Sequence, residues 1–369
     1  MRAGYQARRA GGTAGVAPAA AALLALFAML VGCTGAAEQE PTPLPQPTPV
    51  EEPPPAPVGR DLTVVLPPDG LLDDRVHEGL RRRIARLAAG LPPDVGELTV
   101  RTPDDAPFVI DLAELAASRG TGLVCLLGPD TAAATDTLAS RYGGVRFCGL
   151  PTALPEVDDQ GQVPDTPGVR VQLPVEALGQ LVGQAAGAVA REAGDDPVVG
   201  LLLGGDELPT TTFRDGLLRG LAGVEVVEVE DADASPAAAI EALLAADAEV
   251  VVLDGHLGAR EAIAALDGRV PVVAPVDLIG DVPAPQAALG YRLRHEVALT
   301  AVFDSFASGT VEEVPLLLGV GDGVLDLRVG PGRADLEVRL ARAQEALASR
   351  GDPRAPVPDG PGAGPRGGL

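Results

Sequence analysis

"LTVVLPPDGLLDDRVHEGLRRR" occupies residues 62–83, and its reading decides the fold. The first five residues form a continuous apolar run rich in β-branched side chains, the mark of a strand covered on both faces. Pro67 and Pro68 cannot continue a hydrogen-bonded ladder, so the strand ends there. Asp69, Asp73 and Asp74 then crowd into a turn, and Val76, Leu80 and Ile84 follow at helical spacing. The stretch therefore reads strand, acidic turn, helix, with the turn at the carboxyl end of the strand.

The same unit recurs along the chain. Strands are expected at 62–66, 97–101, 122–127, 145–150, 169–173, 198–203, 224–229, 249–253 and 270–274. Helices are expected at 73–89, 107–118, 130–141, 175–192, 209–222, 235–246 and 257–266. Regular strand–helix alternation predicts an α/β fold with parallel sheets. The polar segment "DQGQVPDTPG" (159–168) divides the pattern, and 198–274 repeats the plan of 62–150. Two Rossmann-like lobes with a hinge cleft follow. The first is expected to comprise 60–167 plus about 287–312, the second 168–286 plus about 313–349. Hinges are expected near 168–174, 275–290 and 309–316, with the cleft at the carboxyl ends of the strands.

The flanks carry a different message. Arg2, Arg8 and Arg9 precede an apolar stretch over 16–32, short for a membrane span and suited to a signal peptide. Leu30-Val31-Gly32-Cys33 matches the bacterial lipobox, so residues 1–32 are expected to be removed and Cys33 lipidated. A proline-dense stalk over 33–59 then holds the domain off the membrane surface. The Gly/Pro-rich tail at 350–369 is expected to be disordered. The chain has 369 residues, a formal charge of −24 and no Lys among its basic residues. Such an acidic balance argues against nucleic acid as a partner.

Several segments resemble the basic membrane protein lipoproteins, nucleoside-type substrate-binding components of ABC importers related to type I periplasmic binding proteins. "DGLLDDRVHEGL" aligns with that family's Asp-x-Ser-Phe-Asn-Gln-x-x-Trp-Glu-Gly-Leu and shares Asp69, Glu78, Gly79 and Leu80. "VGLLLGGDELPTTTFRDGLLRGL" (199–221) is similar to its Val-Gly-x-x-Gly-Gly segment with a following Phe and glycines. "ASRYGGVRFCGLP" (139–151) and "LLLGVGDGVLDL" (316–327) resemble two further motifs in order and spacing. The resemblance implies a lipid-anchored protein on the extracytoplasmic face of the bacterial cell membrane. It implies a nucleoside-like small polar ligand and an ABC permease as partner, with no cofactor. Three departures stand out. The family's Phe-Asn is Leu72-Asp73, its acidic cluster after the late second-lobe strand survives only as Asp277, and its serine-lysine crossover is "ALGYRLRH" (288–295).

The residues expected to meet a ligand lie after strands. Asp69 matches the family's Asp and offers hydrogen-bond acceptors, while Leu72 and Asp73 stand where the family has its stacking Phe and Asn. Asp73 and Asp74 serve equally well as helix caps. Gly128 follows the third strand, and Gly204-Gly205-Asp206 follows the first strand of the second repeat. No Gly-Lys-Ser/Thr comes after, so this is not a phosphate loop. Phe213 is a stacking candidate, though core packing is the commoner role one turn into a helix. Asp254 and Asp277 follow later strands. His77 reads as a helix-face residue, and His256 and His295 as surface or capping residues. Cys125 and Cys148 lie in apolar strands at similar depth, so a disulfide is open to an exported domain. No GxSxG, metal-ligand or Cys/His constellation points to an enzyme. The expected function is delivery of a small polar solute to an ABC importer. A degenerate-cleft envelope lipoprotein acting as sensor or scaffold is the alternative.

Overall fold

The computed structural model describes residues 59–68, 71–104, 108–128, 131–150, 168–204, 208–229, 235–256, 258–310 and 316–350. The leader, Cys33, the stalk, the 159–167 part of the polar interruption and the 351–369 tail lie outside the described residues. So do Asp69, Gly205 and Asp206.

Strands and helices alternate as the apolar runs predict. The first lobe begins with β1 (Leu62–Val65), α1 (Asp74–Arg86), β2 (Leu98–Arg101), α2 (Phe108–Ser118), β3 (Leu123–Leu127), α3 (Thr131–Arg141), β4 (Arg146–Leu150) and β5 (Val169–Gln172). The second carries α4 (Val175–Ala193), β6 (Val198–Leu202), α5 (Leu208–Gly220), β7 (Glu225–Glu228), α6 (Pro236–Ala245), β8 (Val250–Leu253), α7 (Ala259–Leu266), β9 (Val272–Pro275), α8 (Val276–Ile279) and β10 (Ala287–Leu293). The chain then passes through α9 (His295–Ala307), β11 (Leu316–Leu317), β12 (Leu325–Val329) and α10 (Ala334–Arg350).

Two six-stranded sheets result, ordered β11-β5-β4-β3-β1-β2 and β12-β10-β9-β8-β6-β7. The orders correspond strand for strand, so the repeat seen over 62–150 and 198–274 extends to the whole of both sheets. All pairings are parallel except β10 with β12. Every residue of β1, β3, β6, β8 and β9 is buried, because helices cover both faces of each sheet. One apolar cluster runs from Leu62 and Val64 in the first sheet through Leu178 and Leu181 on α4 to Val250 and Val252 in the second.

The lobe boundaries differ from the sequence expectation. β5 pairs with β4 through Cys148↔Val169 and Gly149↔Arg170, and so belongs to the first sheet rather than the second. β10 pairs with β9 and β12, so it belongs to the second sheet rather than the first. β11 returns to the first sheet beside β5. The crossovers therefore fall after β5, after β10 and between β11 and β12. The second expected hinge, 275–290, lies inside one lobe. The physical reason is that apolar periodicity reports that a strand is buried and not which neighbour it pairs with.

The three crossovers are bonded to one another. Leu318 N–H donates to Gln172 O at 3.1 Å, tying the third crossover to the first. Arg294 N–H donates to Val324 O at 2.7 Å, tying the second to the third.

Glycines set one close approach. A Cβ on Gly179 or Gly183 of α4 would collide with the backbone of Phe213 or Leu217 on α5, and one on Gly216 or Gly220 would collide with α4. Four glycines at four-residue spacing on facing helices let the two backbones touch, which seats Phe213 over the second sheet.

Candidate functional site

The carboxyl ends of β1, β3, β6 and β8 open on one cavity of about 450 Å³, lined from both lobes. This is where parallel α/β sheets leave a crevice. From the first lobe come Pro67, Leu71, Leu72, Val76, Leu80, Arg83, Leu127 and Gly128. From α4 and the second sheet come Val175, Leu178, Gly204, Thr210, Phe213, Asp254, Gly255, His256, Pro275, Asp277 and Tyr291. Arg292 and Leu293 at the end of β10 and His295 in the second crossover complete the wall.

Each expected residue has a definite place. Leu72 is on the wall and forms an antiparallel bridge with His256 of the other lobe. Beside it, Asp73 N–H donates to Gly255 O at 2.9 Å, so the turns after β1 and β8 meet across the cleft mouth. The Asp73 carboxylate does not line the cavity. It is buried at the start of α1 and accepts the Arg75 N–H at 2.9 Å, the capping role rather than a ligand contact. Gly128 lines the cavity with a φ of +131°, a conformation that glycine adopts without steric cost. Phe213 is on the wall, but its ring lies against Tyr291 with centroids 5.3 Å apart and planes 17° apart.

The two acids are both occupied. Asp254 accepts the Gly204 N–H at 2.7 Å and the His256 N–H at 3.1 Å, and its carboxylate also pairs with His256 Nδ1. Asp277 receives both forks of Arg83, Nη1 at 2.7 Å and Nη2 at 2.9 Å. This is a bidentate pair between α1 of one lobe and α8 of the other, with each side chain 17 % exposed. A Cβ on Gly79 would collide with the Asp277 carboxylate, so the small residue keeps that approach open. Arg75 and Asp281 form a second inter-lobe ion pair on the outside.

The sequence reading missed several wall residues. His256 and His295 line the cavity rather than the surface, and Arg83, Tyr291 and Arg292 join them. Burial works against the charge of His256, but the hydrogen bond and charge of Asp254, with the charge of Asp73, hold its pKa above the ordinary value. His295 is pushed down to about 4, mainly by burial, with Arg83 and Arg292 acting in the same direction against Glu296 and the Leu293 backbone. It is neutral at pH 7. The Tyr291 hydroxyl donates to Leu253 O at 2.7 Å, and burial, helped by the charge of Asp254, pushes its pKa well up. Arg292 Nε donates to Asp326 at 2.8 Å. His77, far from a plain helix-face residue, is buried and donates through Nε2 to Pro67 O at 3.1 Å, pinning the turn after β1.

Cys125 and Cys148 stand opposite each other in the β3–β4 register, Cα atoms 4.5 Å apart, and are joined as a disulfide. Among the described residues no cluster of three or more His, Cys, Asp or Glu could hold a metal, and no helix is long and apolar enough to cross a membrane.

No protein-family model matches the chain, and no curated protein matches it. Solved structures do. An ABC transporter solute-binding protein from Conexibacter woesei has 20 % identity and a TM-score of 0.58 over 79 % of this chain and 96 % of its own. A transcriptional activator of the comK gene from Bacillus halodurans has 14 % identity and a TM-score of 0.59 over 79 % and 98 %. An ABC transporter periplasmic solute-binding protein from Actinobacillus succinogenes, with bound D-allose, has 14 % identity and a TM-score of 0.57 over 75 % and 99 %. The chain has the two-lobed α/β fold of the type I periplasmic binding proteins. Its neighbours in structure include ABC transporter solute-binding proteins.

Proposed function

We propose that this chain is an extracytoplasmic solute-binding protein, anchored by lipid at Cys33, that carries a small solute between its lobes to an ABC permease. The observation that carries the reading is the cavity itself: about 450 Å³, at the carboxyl ends of two parallel sheets, walled by both lobes. Its neighbours of like fold with solute-transport roles support the same class. The lipid anchor rests on Leu30-Val31-Gly32-Cys33 and the basic, apolar leader before it. The family resemblance makes a nucleoside-like or other small polar solute the first class to assay, with the ligand-binding role falling to residues around Leu72, Gly128, Phe213, Asp254 and Asp277. Asp69, Gly205 and Asp206 belong to the same turns in sequence.

The test is native mass spectrometry of the full chain in mild detergent, followed by thermal shift against nucleosides, sugars and amino acids. A retained small molecule, or a dose-dependent rise in Tm with one class, is the expected outcome. Labelling of growing cells with a radioactive fatty acid should mark the parent protein and leave Cys33→Ser unlabelled.

A second reading is favoured by a specific observation. Arg83–Asp277 and the Leu72–His256 bridge join the lobes through the protein's own groups. A sensor or scaffold with a degenerate cleft would be built this way, and one neighbour in fold is described as a transcriptional activator. An empty protein and no shift from any solute would favour it.

A further inference from the structure

The described walls of the cavity are mainly apolar. Leu71, Leu72, Val76 and Leu80 form the first-lobe side, and Val175 and Leu178 face them from α4. Most of the charged and hydroxyl groups on these walls are bonded to protein, while Arg83 Nε and Arg292 Nη1 are buried without a hydrogen-bond partner. Asp277 is held by Arg83, Asp254 by Gly204 and His256, the Tyr291 hydroxyl by Leu253 O, and Arg292 by Asp326. The ring faces of Phe213 and Tyr291 are turned on each other rather than left for a sugar or a base.

A polyhydroxylated ring in such a site would lose water from each hydroxyl and, beyond the donors of Arg83 and Arg292, gain few partners, which disfavours it. An alkyl or alicyclic body loses nothing by the transfer. Charged groups stand at three places, the Arg83–Asp277, Asp254–His256 and Arg292–Asp326 pairs, and the unpartnered donors on Arg83 and Arg292 are what a ligand's polar end has to approach.

Resting on the solute-binding reading above, we infer that the ligand is an amphipathic small molecule whose apolar body makes the main contacts, with polar function limited to one end. A cavity of about 450 Å³ suits a compact body rather than a long lipid chain.

Titration calorimetry on the full chain tests this with defined probes: 1-hexanol and 1-octanol for the body, octanoate and octylamine for the head group, and D-allose and adenosine as polar competitors. Affinity should rise about fourfold per methylene between hexanol and octanol, with a negative heat-capacity change. Val76→Thr keeps the shape of a half-buried wall residue and adds a hydroxyl, and Leu72→Ser removes apolar wall at the mouth. Each should weaken octanol several-fold while the circular dichroism spectrum is unchanged. A flat response to chain length overturns the inference, and so does octanol binding that neither variant weakens. If D-allose or adenosine binds tenfold tighter than every octyl probe, the amphipathic assignment falls and the solute-binding reading stands. If no probe of either class binds, both fall.

Discussion

Arg83 on α1 grips Asp277 on α8 through two hydrogen bonds, so a residue near the start of the first lobe holds one 194 positions later in the second. Each side chain is mostly buried, which makes removal of one partner costlier than loss of a surface pair. Arg83→Ala should lower stability by roughly 1–3 kcal/mol by stranding a mostly buried carboxylate. It should also open the lobes, read as a larger radius of gyration in small-angle X-ray scattering. Pairing it with Asp277→Ala should recover part of the loss, because the stranded charge is gone. Strictly additive single and double variants would show that the pair does not couple the lobes.

The two cavity histidines pull stability in opposite directions with pH. His256 has a raised folded pKa, so its contribution is fully present below about pH 6.5 and lost as pH rises through the folded value. His256→Gln should remove that component. His295 is depressed to about 4, so below pH 6.5 the unfolded chain takes a proton that the folded chain refuses. Stability should fall on the order of 2 kcal/mol between pH 6.5 and 4 from this group. Denaturant melts across pH 4–8 should show a shallower acid loss in His295→Gln than in the parent.

The disulfide between β3 and β4 joins residues 23 apart in sequence. Closing a loop of that length restricts the unfolded chain and is worth about 3 kcal/mol. Reduction, or Cys125→Ala with Cys148→Ala, should lower Tm accordingly. Alkylation under non-reducing denaturing conditions should leave both residues unlabelled in protein exported to an oxidising compartment.

Backbone contact between α4 and α5 makes a sharper contrast. Gly183→Ala would place a methyl against the Leu217 carbonyl and force the helices apart, for an expected loss of roughly 1–3 kcal/mol. Gly143→Ala, where nothing lies within 4 Å of the new Cβ, should be near neutral. Because α5 carries Phe213, the Gly183 variant should also disturb the Phe213–Tyr291 stack, visible in the near-ultraviolet circular dichroism.

Much of this architecture was readable from residue order. The apolar runs marked nine strands and the helical spacing seven helices, because burial on both sheet faces leaves a strong periodic trace. The lobe membership of β5 and β10 was not readable, since "VRVQ" and "AALGYRL" carry the same apolar signal whichever sheet they join. Site residues followed the same division. Gly128, Asp254 and Asp277 were picked because strand ends point to the crevice and Leu72 from the family comparison, and all four line the cavity. Arg83, Arg292 and His295 were missed because nothing local distinguishes an arginine on an exposed helix face from one aimed at a partner in the other lobe. Asp73 was ambiguous in sequence, and its backbone placement at the start of α1 resolved it as a cap.

The third crossover is bonded to both of the others, through Leu318 to Gln172 and through Val324 to Arg294. A single tether would let one lobe swivel freely about the other, and two independent tethers would still permit shear. Three connecting segments bonded side by side resist both kinds of displacement. Strain imposed on residues 318–324 would therefore reach both lobes at once.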